Sequence, residues 1–239
     1  MAAYFISDLH LTRERDAANE RFLGFLDAQP AAGDALYILG DLFEYWAGDD
    51  DLNDPLNAGV ATALAGCASR GVALYLMHGN RDFLIGQTFA GQVHATLLAD
   101  GISFDLHGTR TVLLHGDTLC TGDRAYQQFR AQVRAQQWRD DFLARSLPQR
   151  KAEIEKLRAM SETEKANKAP SIMDVSETAV KHLFQDSGAA RMIHGHTHRP
   201  ARHDYLMFGR SCVRWVLPAW DQRAGFLRID ASGDELVYL

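Results

Sequence analysis

Tyr4-Phe5-Ile6-Ser7-Asp8-Leu9-His10 is a short apolar run that stops at a carboxylate and an imidazole two residues apart. Aromatic and β-branched residues in so short a run predict a buried strand ending at Asp8. The same pattern recurs along the chain. Ala35 to Leu39 stops at Gly40-Asp41, Val72 to Met77 at His78-Gly79-Asn80-Arg81-Asp82, and Thr111 to Leu114 at His115-Gly116-Asp117. The run around Arg191-Met192-Ile193 stops at His194-Gly195-His196-Thr197-His198.

Helical patterns separate the first of these strands. Phe22, Leu23, Phe25 and Leu26 give Ala17 to Leu26 a broad apolar face that ends before Gln29-Pro30, and Leu56 to Ala68 reads as a second helix despite Gly59 and Gly66. Alternation of strand and helix predicts an α/β fold with a partly parallel sheet and helices outside. Thr96 to Leu98, Ile102 to Leu106 and Thr111 to Leu114 lie close together, as in an antiparallel addition to that sheet. Residues 122 to 186 read as helical. Tyr126, Phe129, Val133, Trp138 and Phe142 recur at spacings that line one side of a helix; Pro148 and Pro170 mark boundaries around a helix over Arg150 to Met160. Asp174-Val175-Ser176-Glu177 has the residue types of an N-cap with Glu three positions later. Residues 122–170 are therefore expected to form a helical insertion over the rim of a single domain spanning 1–239, and the tail returns to strands.

Composition sets bounds on the chemistry. With 239 residues and 46% hydrophobic content the chain can bury a substantial core. Its 25 basic and 31 acidic residues, a net of -6, argue against broad nucleic-acid binding. The charge is uneven, because residues 124 to 168 carry 11 basic against 6 acidic side chains. That stretch suits an anionic substrate or lipid surface, or a solvated helical face. Three cysteines, Cys67, Cys120 and Cys212, make no closed disulfide framework and no paired metal spacing. A start without a basic leader, and the lack of a long apolar stretch, predict a cytoplasmic protein, soluble or attached peripherally to a membrane.

In an extended segment residues i and i+2 point the same way, so Asp8 with His10, and His196 with His198, can each grip an ion. Together with strand-end Asp41, Asn80 and His115 they predict two adjacent cations with positions open for water and phosphate. Oxygen and imidazole donors without thiolate favour Mn, Fe, Co or Zn. Asp41 is the best bridging carboxylate, and the chemistry expected of such a pair is phosphoester or phosphoanhydride hydrolysis.

The ordered blocks Asp8-x-His10, Gly40-Asp41, Gly79-Asn80, His115 and Gly195-His196-x-His198 resemble those of the calcineurin-like metallophosphoesterase family. The resemblance implies a central β-sandwich flanked by helices. It implies a first metal held by Asp8, His10, Asp41 and His198, and a second by Asp41, Asn80, His115 and His196. Asp41, Arg81, His10 and His196 carry the chemistry in this reading. Asp8-Leu9-His10-Leu11, Gly40 to Trp46, Gly79 to Leu84 and Ile172 to Val175 further resemble the branch of the family that acts in lipid A biosynthesis. That likeness implies cleavage of UDP-2,3-diacylglucosamine by metal-activated water at the α-phosphorus, releasing UMP and 2,3-diacylglucosamine 1-phosphate (lipid X). It also implies two manganese ions and a peripheral position on the cytoplasmic face of the inner membrane.

By the same resemblance Asn80, Arg81, Asp123, Tyr126, Arg158, Ser161, Asn167, Lys168 and His196 are candidates to bind substrate. Trp46, Phe129, Trp138, Phe142, Ile172 and Met173 either face acyl chains or seal the helices onto the sandwich; periodicity leaves both open. A general phosphodiesterase or nucleotide phosphatase with the same metals, and a metal-stabilised interaction protein, are the competing readings.

Overall fold

A computed structural model describes residues 1–167, 172–207, 209–221 and 223–239. The first half alternates β1 (Ala3–Ile6), α1 (Asp16–Ala28), β2 (Ala35–Leu39), α2 (Pro55–Ser69), β3 (Ala73–Met77), α3 (Gln87–Gln92) and β4 (Ala95–Leu98). Strands β5 (Ile102–Leu106) and β6 (Thr109–Leu113) follow, then helices α4 (Arg124–Arg134), α5 (Gln136–Leu143), α6 (Leu147–Asn167) and α7 (Glu177–Ser187). The chain closes with β7 (Arg191–His194), β8 (Ala201–Met207), β9 (Arg210–Val216), β10 (Gly225–Asp230) and β11 (Gly233–Tyr238).

These strands form two sheets packed face to face, ordered β11-β10-β1-β2-β3-β4 and β5-β6-β7-β9-β8. Strict alternation along β1 explains the layering. Ala3 and Phe5 face the inner core with Leu113, Ile193 and Trp215 of the second sheet, while Tyr4 and Ile6 face outward onto Phe22 and Phe25 of α1. Phe5, Tyr37 and Tyr75 stack in register across three neighbouring strands, with centroids 4.8 and 4.6 Å apart. On the far side, Val180 and Phe184 of α7 cover Val112 and Met192. This is the helix-flanked sandwich and mixed α/β class expected.

Register decides where the site lies. β1, β2, β3 and β4 are mutually parallel, as are β6, β7 and β9. Both sheets therefore release their strand ends at one rim.

Four local expectations are corrected. The chain crosses between sheets after β4: β4 pairs parallel with β3, whereas β5 and β6 are an antiparallel pair in the other sheet. Gly101 takes φ +81° at the crossing and lets the chain reverse. The apolar stripe from Tyr126 to Phe142 is split between α4 and α5 by the extended backbone of Ala135 (ψ 136°), so that Val133 and Phe142 are each buried on their own helix. Pro148 lies inside the first turn of α6, where its missing N–H costs nothing, and Gln149 accepts from the Ser146 N–H (3.1 Å) as in a capping box. The cap of α7 is Ser176, whose hydroxyl accepts from Ala179, while Asp174 accepts from the Val175 N–H and pairs with Arg199.

Candidate metal centre

Backbone conformation, more than strand pleat, converges the side chains. Asp8, His10, Asp41, His196 and His198 all have φ between +50° and +68°, the left-handed region that side-chain-bearing residues avoid. The expected i,i+2 alternation of an extended segment is thus replaced by a kinked one. Such strain persists only where surrounding bonds over-determine it. Here the Asp8 N–H donates to Gly40 O (3.1 Å), and the Leu9 and His10 N–H groups both donate to Asp41 O (2.9 and 3.0 Å).

Asp82 is the brace of the rim. It is 1% exposed and accepts from Gly79 N (2.8 Å), Asp41 N (3.3 Å) and Leu42 N (2.8 Å), locking the β2 and β3 loops together. Gly79 must approach that closely, since a Cβ there would overlap the Asp41 carboxylate and backbone. Ser7 Oγ and the His196 N–H both donate to Asp8 Oδ2, at 2.6 and 2.8 Å.

The remaining donor atoms face one another. Asp8 Oδ1 is buried without a hydrogen-bond partner among the described residues, 3.5 Å from His198 Nε2 and 4.0 Å from His10 Nε2. Asp41 Oδ1 accepts from the Arg81 N–H (2.7 Å), while Oδ2 lies between the two halves of the site, 3.8 Å from His10 Nε2 and 3.7 Å from His115 Nε2. Asn80 Oδ1 stands 3.0 Å from His115 Nε2 and 2.9 Å from His196 Nδ1. Two groups with metal-binding spacing result, Asp8 with His10 and His198, and Asp8 with Asp41 and His115.

Tautomers are set from behind. His115 Nδ1 donates to Leu39 O (2.9 Å), and His10 Nδ1 sits 2.9 Å from Glu44 Oε2, so both rings turn Nε2 inward. His194 is different: Nδ1 donates to Gly195 O (2.9 Å) and Nε2 accepts from Arg214 (3.0 Å), leaving no lone pair for an ion. Burial and the Arg214 charge push its pKa down to about 3. Burial acts the same way on His115, but the Asp41 and Asp8 carboxylates outweigh it and hold the imidazole up at about 9. That negative field, an orphaned carboxylate oxygen, and an oxygen and imidazole donor set all fit divalent cations.

Arginines from the helical segment reach the rim. Arg130 Nε donates to Asp117 Oδ2 (2.7 Å), Arg134 Nη2 to Gly79 O (2.7 Å), and Arg158 Nη2 to Glu44 Oε1 (2.8 Å). Burial opposes ionisation of Glu44, yet His10, Arg81 and Arg158 hold its pKa down at about 2. Tyr126 donates to the same Asp117 oxygen (2.6 Å) and lies over the His196 ring, with centroids 6.1 Å apart. Arg150, 2% exposed, donates to Ala47 O and pairs with Asp50.

The structure brings together Asp8, His10, Asp41, Asn80, His115, His196 and His198, with Arg81 beside Glu44 (3.6 Å). Asp123 caps α4 by accepting from the Tyr126 N–H (3.1 Å), and Ser161 is partly exposed on α6. Lys168 and the side chain of Asn167 lie outside the described residues. Trp46 and Phe142, each 1% exposed, fill the outer core, and Trp46 Nε1 donates to Asp49 (3.0 Å); neither side chain is open to an acyl chain here. Phe129 (39%) and Ile172 (38%) are exposed, and Trp138 and Met173 are partly so. Arg130, Arg134 and Arg214 support the site without a sequence signal, because each acts through a partner distant in the chain.

Comparison with known proteins agrees with this geometry. A calcineurin-like phosphoesterase family model matches residues 1–200. The chain is 49% identical over 233 residues to the UDP-2,3-diacylglucosamine hydrolase of Aromatoleum aromaticum, covering 98% of this chain and 95% of that protein. With the protein of that name from Cellvibrio japonicus the identity is 47% over 233 residues, 98% and 97% of the two chains. With that of Xanthomonas axonopodis pv. citri it is 45% over 246 residues, 100% and 99%.

Proposed function

The chain belongs to the calcineurin-like phosphoesterase family, and from that premise we propose that it hydrolyses the pyrophosphate bond of UDP-2,3-diacylglucosamine to UMP and 2,3-diacylglucosamine 1-phosphate. One observation carries the reading: near-full-length identity of 45–49% to hydrolases of that substrate, on a chain whose strand ends assemble the family's donor set.

Asp8, His10, Asp41 and His198 would hold one divalent cation, and Asp41, Asn80, His115 and His196 a second, with Asp41 shared. The absence of thiolates suits manganese. Such cations, when bound, lower the pKa of water and offset charge on phosphate oxygens. The protein's own groups do the rest. His115 keeps its Nδ1 proton on Leu39 O, and the Glu44 carboxylate 2.9 Å from His10 Nδ1 favours the same orientation of that ring. Arg81, held near Glu44, presents a rigid fork to the phosphates. Attack falls on the α-phosphorus of the UDP moiety. The leaving group is itself a phosphate, so departure needs less protonation than an alkoxide would.

Residues 122–170 act as the substrate cap. Asp123, Tyr126, Arg158, Ser161, Asn167 and Lys168 serve the glucosamine, its phosphate or UMP, and Phe129, Trp138, Ile172 and Met173 offer apolar surface to the acyl chains. Each methylene they cover contributes about 0.8 kcal/mol. Among the described residues no helix is long and apolar enough to cross a membrane. The basic excess of residues 124 to 168 suits contact with the anionic cytoplasmic face of the inner membrane.

The test is turnover by the manganese-loaded protein of UDP-2,3-diacylglucosamine, of deacylated UDP-glucosamine and of a generic phosphodiester. Selective release of UMP from the acylated compound is expected. Equal rates on acylated and deacylated compounds would remove acyl recognition from the assignment.

A further inference from the structure

A cavity of about 360 Å³ opens beside the His196-Thr197-His198 loop, between the start of α7 and strands β8 and β9. Its lining includes Thr197 and Arg199 from that loop, Asp174 and Glu177 at the entry to α7, and His203 and Arg214 from β8 and β9. The last two are directly paired across the strands, so they share a face.

Arg214 is the unusual member. It is 3% exposed, and its hydrogen bonds among the described residues go to neutral acceptors, Tyr205 Oη (3.0 Å) and His194 Nε2 (3.0 Å). No carboxylate among the described residues lies within ion-pairing distance of it. Buried charges are ordinarily paired, so a guanidinium whose link to the Glu177 carboxylate runs only through the Tyr205 hydroxyl can take a further acceptor from outside the chain. Glu177 faces the same space and, among the described residues, accepts a 3.3 Å bond from Tyr205 Oη. Asp174, by contrast, is already engaged by Arg199.

A cationic donor and a carboxylate in one pocket suit a ligand with both acceptors and hydroxyl donors. A phosphate alone would meet repulsion from Glu177, and an acyl chain would bury two charges. The volume falls at the lower end of small-molecule sites, roughly 300–1,000 Å³, which fits a mononucleotide and excludes a diacylated sugar. Resting on the reaction proposed above, we infer that this cavity is the subsite for the uridine half of the substrate. Arg214 donates to pyrimidine carbonyl oxygens, Glu177 accepts from ribose hydroxyls, and the α-phosphate emerges at Thr197 next to the metal-binding histidines. The two halves of the substrate then leave the rim by different routes, the lipid under the helices and the nucleotide over the second sheet.

Calorimetric titration of UMP, and separately of 2,3-diacylglucosamine 1-phosphate, into the manganese-loaded protein tests this. Arg214→Met and Glu177→Gln should each weaken UMP at least tenfold and leave the lipid product's affinity unchanged. Glu177→Gln should also reduce any preference for UMP over its 2′-deoxy analogue. Because Arg214 is buried, His203→Ala provides a second variant on the same wall, with the same expected loss if Arg214→Met does not fold. Undetectable UMP binding to the wild type, or unchanged UMP affinity in folded Glu177→Gln and His203→Ala, overturns the subsite. If UDP-2,3-diacylglucosamine is not cleaved but UMP binding still falls in these variants, the reaction assignment fails and the nucleotide site stands.

Discussion

At the rim, a single carboxylate, Asp82, ties three backbone N–H groups from two loops, whereas the overhanging helices are held by arginine side chains reaching down from α4 and α6. The first arrangement is short and made largely of backbone; the second depends on long side chains, whose partners range from the buried Asp117 to Asp50 at 59% exposure. Backbone-anchored geometry holds donor atoms to a fraction of an ångström, as metal ligation demands. Side-chain tethers tolerate adjustment, as the proposed reception of two flexible acyl chains would require. The difference suggests one region built for chemistry and one built for fit.

The comparison breaks first at Asp41. Asp41→Ala removes the carboxylate lying between both halves of the site, and turnover of UDP-2,3-diacylglucosamine should fall by roughly 10³-fold or more, with bound manganese reduced in elemental analysis. Hydrogen exchange in α4 to α6 should stay as in the wild type; retained metal and normal rate would contradict the bridging role. Asp82→Ala attacks the rim's backbone instead. It strands buried N–H groups and should cost about 3 kcal/mol or more in urea unfolding, with metal affinity falling alongside.

The helical side is sharpened by Arg150→Met, which keeps apolar volume and releases Ala47 O and Asp50. A loss of about 1–2 kcal/mol is expected, since the Asp50 partner is largely solvated. Its kinetic signature should be a higher KM for the diacylated substrate with little change in manganese content; an equal loss of metal would mean that the two regions are not separable. Ser7→Ala has the smallest expected effect. Removing the 2.6 Å hydroxyl bond to Asp8 should cost about 1 kcal/mol and weaken manganese binding up to roughly tenfold, measured by competition with a chelator.

Legibility follows how local each determinant is. β1, β2, β3 and β7 were readable because apolar runs ended in polar clusters, and the metal-site donors were readable because they sit immediately beyond those ends. The split between α4 and α5 was not readable, since Ala135 is a good helix former that tertiary packing holds extended. The crossing from β4 to β5 was also hidden, because three short strands in succession look alike whether they join one sheet or two. Arg214 gave no signal at all: its lack of a carboxylate partner is a property of its surroundings and not of its neighbours in sequence.

What the chain determined by itself is the set of donor atoms and their place at strand ends, because hydrophobic periodicity and polar punctuation are short-range and survive in one dimension. Only the folded structure decided which oxygen of Asp8 is left without a partner among the described residues, which nitrogen of each histidine turns inward, and where Arg214 is buried. Those outcomes depend on left-handed kinks and hydrogen bonds between segments as far as 188 residues apart, whose energies exist only once the two sheets have met.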